Sequence, residues 1–306
     1  MEFTEPVENN ITPIVPSGLT VDGAFDGMVG ISWDPDTESS ISRYNIYRSF
    51  EPDLNFTLIG FTLNSYYEDI WLEYDSTYYY KVSAVNKAGL ESNLTNAVFA
   101  KPKNLYPPIV PSTLNINARN REDSLEVFLS WNPSIDKDIA FYEIYRDTIQ
   151  FLEPGAERHI GFTDKTNFTD KNDLKIGTTY FYRIRAYDKG DLKSSLSQIV
   201  SDYVLDKPKL ISPLDKAEIT KLTEFRIKTV IGEAKYKLIV QSSSVGGIVK
   251  EINFFVEEPG KEKLIDVSSL LLEAYKTYFW RVMTFTNNNT EPNSYSNLYT
   301  FYYNPK

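Results

Sequence analysis

The sequence predicts an all-β chain made of three tandem antiparallel sandwiches, and three observations carry that expectation. The first is a strand that occurs three times. In Leu174–Gly190, LKIGTTYFYRIRAYDKG, the residues Tyr180, Tyr182, Ile184 and Ala186 alternate with Phe181, Arg183, Arg185 and Tyr187, the period-two pattern of a half-buried strand. A leucine stands six residues before the leading tyrosine in every copy: Leu72 before Tyr78, Leu174 before Tyr180, Leu272 before Tyr278. The second is spacing, because those tyrosines lie 102 and 98 residues apart (180 − 78 and 278 − 180). That is the size of a common single domain, able to bury a core of its own. The third is composition: 22 Tyr and 18 Phe raise aromatics to 14% against only 14 Gly, which favours strands over helices.

The elements follow in order. Residues 1–15 are a polar leader whose first ten, MEFTEPVENN, lack the basic start and apolar stretch of a signal peptide. This start fits a cytosolic protein, or a chain whose signal has been removed. The pentapeptide Pro13-Ile14-Val15-Pro16-Ser17 returns as Pro108-Ile109-Val110-Pro111-Ser112. Paired prolines hold the chain extended and remove donors, which suits the entry to a first strand and a stiff joint. A degenerate third joint is Lys207-Pro208-Lys209-Leu210-Ile211-Ser212-Pro213. The sandwiches are therefore placed at 16–102, 103–206 and 207–306, joined semi-rigidly into an elongated arm.

Within the first two, a strand ends on Trp33 or Trp131 and is followed by a proline-bearing turn, Asp34-Pro35-Asp36 or Asn132-Pro133-Ser134. Next come Tyr44-Asn45-Ile46-Tyr47-Arg48 and Tyr142-Glu143-Ile144-Tyr145-Arg146, then Ile59-Gly60-Phe61-Thr62 and Ile160-Gly161-Phe162-Thr163. The second repeat holds three extra residues in the loop between Arg146 and Ile160, where a surface loop absorbs an insertion. In the third, Phe225 and Ile227 stand where tryptophan is expected, and Trp280 lies two residues beyond Tyr278. The large core aromatic is expected to have moved across that sandwich.

A strand ending in Trp, a Tyr-x-Ile-Tyr-Arg strand, and a Leu six residues before Tyr-x-Tyr-x-Val-x-Ala-x-Asn together resemble the fibronectin type III domain. The resemblance covers 16–206 and extends to 207–306 as a divergent relative. It implies immunoglobulin-like seven-stranded sandwiches with Tyr78 and Tyr180 as tyrosine-corner residues. The Tyr-Asn-Ile-Tyr-Arg form resembles versions found in bacterial secreted and cell-surface proteins.

The chemistry-bearing residues point away from catalysis. Cysteine is absent and His159 is the one histidine, which excludes thiol nucleophiles and transition-metal sites. No Gly-x-Ser-x-Gly, HExxH, P-loop or GxGxxG motif occurs. Asp34, Asp36 and Glu38, and their counterparts Asp136 and Asp138, could in principle hold calcium or pair for glycoside hydrolysis. Their place after the Trp strand makes them turn builders. Lys189-Gly190-Asp191 sits where some relatives carry an integrin motif, but it also reads as an ordinary polar turn. The Asn-x-Ser/Thr sequons at Asn10, Asn55, Asn93, Asn167 and Asn288 match what an Asn- and Thr-rich chain contains by chance. No catalytic, cofactor or metal residue is assigned.

Charge and hydropathy narrow the partners. The net charge of −10 is distributed as −3 over 1–16, −7 over 17–101, −3 over 102–206 and +3 over 207–306, which argues against nucleic acid. No apolar run approaches the length of a membrane span. The best functional lead is a set of outward aromatics. Tyr145, Phe181 and Tyr187, with Tyr47 and Tyr79, should project from the face opposite the core, unless they serve only as cross-strand pairs; Trp71 lies at the turn preceding Leu72, away from the repeated core positions. The expected function is a non-enzymatic binding or spacer protein, extracellular or on a bacterial cell surface, recognising a protein or carbohydrate through adhesion-type contacts. A lipoprotein anchor upstream of Met1 is compatible with it. Two alternatives are an accessory region of a secreted polysaccharide-active enzyme and a self-associating structural subunit.

Overall fold

The computed structural model describes residues 11–35, 40–121, 124–286 and 289–305. The first strands are β1 (Thr20–Phe25), β2 (Met28–Ser32), β3 (Ile41–Ser49), β4 (Thr57–Thr62), β5 (Tyr66–Ile70), β6 (Tyr78–Asn86) and β7 (Val98–Ala100). They form two sheets, β1-β2-β5 and β4-β3-β6-β7. Alternation decides which residues meet between them. Val29, Ile31 and Trp33 from one sheet and Tyr44, Ile46, Tyr80 and Val82 from the other share one buried cluster. Trp33 meets Tyr44 edge-on, with centroids 5.2 Å apart.

The second set repeats the plan with β8 (Asn115–Arg121), β9 (Ser124–Ser130), β10 (Ile139–Asp147), β11 (His159–Thr163), β12 (Asn167–Asp170), β13 (Thr179–Asp188) and β14 (Val200–Tyr203). Its four-stranded sheet has the order β11-β10-β13-β14, and β8, β9 and β12 pair as the other sheet. Trp131 is buried and meets Tyr142 at 5.1 Å, the same contact as Trp33 makes with Tyr44.

The third set is β15 (Lys209–Ser212), β16 (Ala217–Ile219), β17 (Glu224–Lys228), β18 (Lys235–Ser243), β19 (Gly246–Phe255), β20 (Glu262–Asp266), β21 (Lys276–Phe285), β22 (Ser294–Tyr295) and β23 (Tyr299–Tyr303). Phe225 occupies the Trp position. Trp280, fully buried on the opposite sheet, packs against it at 4.5 Å, so the large aromatic has indeed crossed the sandwich.

The tyrosine corner is present three times. The backbone N–H of Glu73 donates to Tyr78 Oη (3.0 Å), that of Lys175 to Tyr180 Oη (3.0 Å) and that of Glu273 to Tyr278 Oη (2.8 Å). The Tyr180 hydroxyl in turn donates to the Asp173 carbonyl at 3.2 Å. Each hydroxyl thus ties the incoming loop to the sixth strand. Tyr180→Phe should therefore cost about 1–3 kcal/mol, read as a lower denaturant midpoint with an unchanged slope.

By compactness the chain divides into two units that cut across the expected boundaries. One comprises 1–109, 134–140 and 186–194; the other comprises 110–133, 141–185 and 195–306. The physical reason in the second unit is a continuous sheet. Strand β22 bridges β21 and the parallel β8, through Ser294 and Asn120. Nine strands are joined in this way, seven in the order β12-β9-β8-β22-β21-β18-β19, with β23 also on β21 and β16 on β23.

That seam is polar and saturated. Asp202 is buried, and its carboxylate accepts from Ala118 N (2.7 Å), Tyr203 N (2.9 Å), Thr286 Oγ1 (2.6 Å) and Asn293 Nδ2 (3.0 Å). Asn293 Nδ2 also reaches the Ala118 carbonyl at 2.8 Å. Burial pushes the Asp202 carboxyl up, and the four donors offset this only in part. An acid whose native value is raised lends stability below its unfolded value of about 3.9. That stability is lost as pH rises through the native value. Urea midpoints measured upward from pH 4 should fall more steeply in the natural protein than in Asp202→Asn.

Candidate interaction surface

The outer faces of the two four-stranded sheets carry the repeated aromatic and polar residues, and a β-bulge decides which ones. Asn45 pairs with Phe61 and Ile46 with Gly60, but Tyr47 pairs with Leu58, so the register slips between Ile46 and Tyr47. The second copy slips between Ile144 and Tyr145. Ile59 consequently packs on the core while Phe61 turns outward and stays 65% exposed. Its counterpart Phe162 is 71% exposed.

In the first sandwich the margins of this face are open, while Asn45 and Ser83 at its centre are buried. The Glu91 carboxylate gathers Asn45 Nδ2 (2.9 Å), the Tyr47 hydroxyl (2.6 Å) and the Ser83 hydroxyl. Burial works to raise Glu91, but hydrogen bonds from Ser83, Tyr47 and Asn45 and the nearby Arg43 outweigh it and hold the carboxyl low. The Arg43 guanidinium stands 5.7 Å over the Phe61 ring. At the far edge Tyr79 meets the exposed Phe99 at 6.0 Å. The arrangement is a sheet face whose polar centre is internally paired and whose margins carry exposed rings.

In the second sandwich the same face is covered. The longer loop after β10, including a 3-10 turn at Ala156–Arg158, folds back over it. Phe151 is buried, Arg183 Nη1 donates to the Leu152 carbonyl (2.6 Å), and Arg185 pairs with Glu153 (3.4 Å).

This cover corrects one expectation. Tyr145 is only 6% exposed, its ring lies edge-on to His159 at 5.8 Å, and its hydroxyl donates to Glu143. Phe181 and Tyr187 are half-buried. Trp71 is 60% exposed, and its φ of 66° is unusual for so bulky a residue. The Lys189 ammonium stands 5.6 Å over its ring. Trp71 and Tyr187 belong to the first compact unit, Tyr145 and Phe181 to the second.

The Lys-Gly-Asp turn is a packed element of the first unit. Asp188 Oδ1 accepts from Gly190 N (2.8 Å), Leu192 N (2.9 Å) and Asn104 Nδ2 (3.1 Å). A Cβ at Gly190 would stand 2.0 Å from Asn104 Nδ2. Nearby, the Tyr74 hydroxyl donates to Asp138 at 2.7 Å, and burial together with that carboxylate pushes Tyr74 up.

The acidic turns are turn builders where they are described. Asp136 Oδ2 accepts from Ile109 N (2.7 Å) and Ser134 Oγ (2.8 Å); Asp36, Glu38, Asn10 and Asn288 lie outside the described residues. Among the described residues no group of three or more His, Asp or Glu side chains could hold a metal. No helix among them is long and apolar enough to cross a membrane. Sequence reading missed Phe61, Phe162 and Phe99 as exposed rings. The repeated Gly-Phe-Thr motif was the signal that could have found two of them.

Three strands against four, with the Trp contact and the tyrosine corner repeated, specify the architecture. The fold is that of fibronectin type III modules. No family model matches the chain. Among curated proteins it is 28% identical over 198 residues to exoglucanase B of Cellulomonas fimi, covering 62% of this chain and 16% of that protein. It is 30% identical over 155 residues to exoglucanase A of the same organism, covering 47% and 17%. An α-amylase of Niallia circulans is 35% identical over 91 residues, covering 29% and 6%. The chain thus corresponds to at most about a sixth of these relatives' length. Solved structures that resemble it include the FN1–FN3 domains of chicken CNTN1 (12% identical, 95% and 98% covered, TM-score 0.38). An Fn3-like protein from Clostridium thermocellum also resembles it (23% identical, 31% and 99% covered, TM-score 0.27).

Proposed function

We propose that this chain is a non-catalytic extracellular region that serves a polysaccharide-active enzyme as spacer and accessory. The observation that carries the reading is the pattern of its relatives. Two exoglucanases and an amylase share it, each over no more than 17% of their length. A segment shared by enzymes that differ in name, and small beside each, fits a module placed alongside catalytic domains rather than one that performs catalysis. The residues agree where the structure shows their use: Asp136 builds a turn, and Glu91, Asp170 and Asp202 are engaged in hydrogen-bond networks. Export to the medium or the cell surface follows from the same reading.

Two measurements test it. The isolated chain should release no reducing ends from cellulose or starch; release above the blank would overturn the non-catalytic assignment. Joined to a glucan-degrading catalytic domain, it should raise turnover of insoluble glucan while leaving soluble-substrate turnover unchanged. Equal effects on both substrates would remove the accessory role.

A further inference from the structure

We infer that the third sandwich carries a shallow binding cleft for a neutral polysaccharide strand, centred on Phe255 and Phe285. The register places the two rings. Lys235 on β18 pairs with Phe255 on β19 on one side and with Phe285 on β21 on the other. The three side chains therefore form one row on the outer face, the rings two strand spacings apart, about 10 Å.

Two adjoining cavities, about 350 and 330 Å³, share those three residues. Pro259 and Val256 extend the first, and Asn253 extends the second. Phe255 is 69% exposed, although this sandwich already has a complete core of its own around Phe225, Trp280 and Phe301. Packing does not explain an exposed phenylalanine at the mouth of a cleft; a ligand with an apolar face does.

The charges say which ligand. Lys235 and Lys237 line the cleft together with Glu233 and Glu257, so their formal charges cancel. Such a lining gives an anionic or cationic chain no net attraction. It does offer ammonium donors, carboxylate acceptors and an Asn253 amide that is both. A sugar presents hydroxyls that donate and accept at its rim and apolar C–H faces that lie flat on aromatic rings. Aromatic floor and balanced polar rim are complementary to it.

This cleft deepens the accessory reading above and rests on it for the source of the ligand. The test is affinity electrophoresis of the whole chain in gels containing soluble hydroxyethylcellulose or soluble amylopectin, so that β- and α-linked sources are told apart. Retardation is expected in one of them. Phe255→Ala, exposed and hence tolerated, should raise the apparent dissociation constant about tenfold, the loss expected when an aromatic anchor is truncated. Leu271→Ala, 91% exposed and outside both cavities, should leave it unchanged, and matching thermal midpoints would show that both variants fold.

Retardation that survives Phe255→Ala, or that is lost in Leu271→Ala instead, would overturn the cleft. Absence of retardation in both glucans would also overturn it, yet would leave the spacer reading standing. That reading fails on the hydrolysis and turnover measurements instead.

Discussion

Trp131→Ala is expected to lower stability by about 3–5 kcal/mol, the range for truncating a large aromatic that the surroundings cannot refill. The ring is 4% exposed and lies between the two sheets, edge-on to Tyr142. Val127 and Leu129 on its own strand and Ile144 and Tyr182 on the facing sheet are buried with it. Sheets tied by ladder hydrogen bonds cannot close over so large a void, so the cavity persists and its cost adds to the lost burial. The Nε1 hydrogen has no acceptor among the described residues, which makes the contribution one of packing. Trp131→Phe should therefore recover much of it. Trp71→Ala supplies the contrast. Its ring is 60% exposed and lies beneath the Lys189 ammonium, so the expected loss is within about 1 kcal/mol. Urea midpoints followed by circular dichroism check both; the reverse order would mean that the strand register is wrong.

Asp170→Ala should be comparably damaging for an electrostatic reason. Its carboxylate lies almost wholly buried between Arg146 Nη1 (2.6 Å) and the Tyr182 hydroxyl (2.8 Å), with the guanidinium also 5.4 Å over the Tyr180 ring. Arg146 keeps the Asn172 carbonyl at 2.6 Å but loses its counter-charge, and the Tyr182 hydroxyl loses its acceptor. Breaking a buried pair from one side costs about 3–5 kcal/mol, because the remaining charge stays desolvated. Asp170→Asn keeps an acceptor for Tyr182 and should cost less. The first sandwich repeats the motif as Arg48, Asp69 and Tyr80, with Asp69 2.9 Å from Arg48 and 2.8 Å from the tyrosine. Arg48 is more open there, its side chain 28% exposed against 16% for Arg146, so Asp69→Ala should cost less than Asp170→Ala. Equal losses would indicate that solvent exposure of the arginine does not set the cost.

Much of this protein was legible in its residues because strand structure is local. The alternation around Tyr78, Tyr180 and Tyr278, the Trp33 and Trp131 strand ends and the six-residue lead from leucine fix which side chains enter a core. A period of two allows no other face once one is buried. The tyrosine corner is legible for the same reason, since donor and acceptor lie within seven residues.

What only the tertiary structure decided are events that break the period or join distant segments. Ile59 and Phe61 look as though they share a face, yet the bulge opposite Tyr47 sends one to the core and the other to solvent. Tyr145 alternates outward as expected, but the loop that absorbs the insertion folds back over its sheet and removes it from contact. No pattern within a strand encodes what a neighbouring loop will cover. The seam at Asp202 joins residues 84 and 91 positions apart, Thr286 and Asn293 meeting a carboxylate that reads in sequence as one more surface acid. The Phe255 cleft exists because register sets Lys235 between two phenylalanines from separate strands. Local propensity specifies the repeated sandwich plan; which faces remain open is decided by long-range pairing and loop packing.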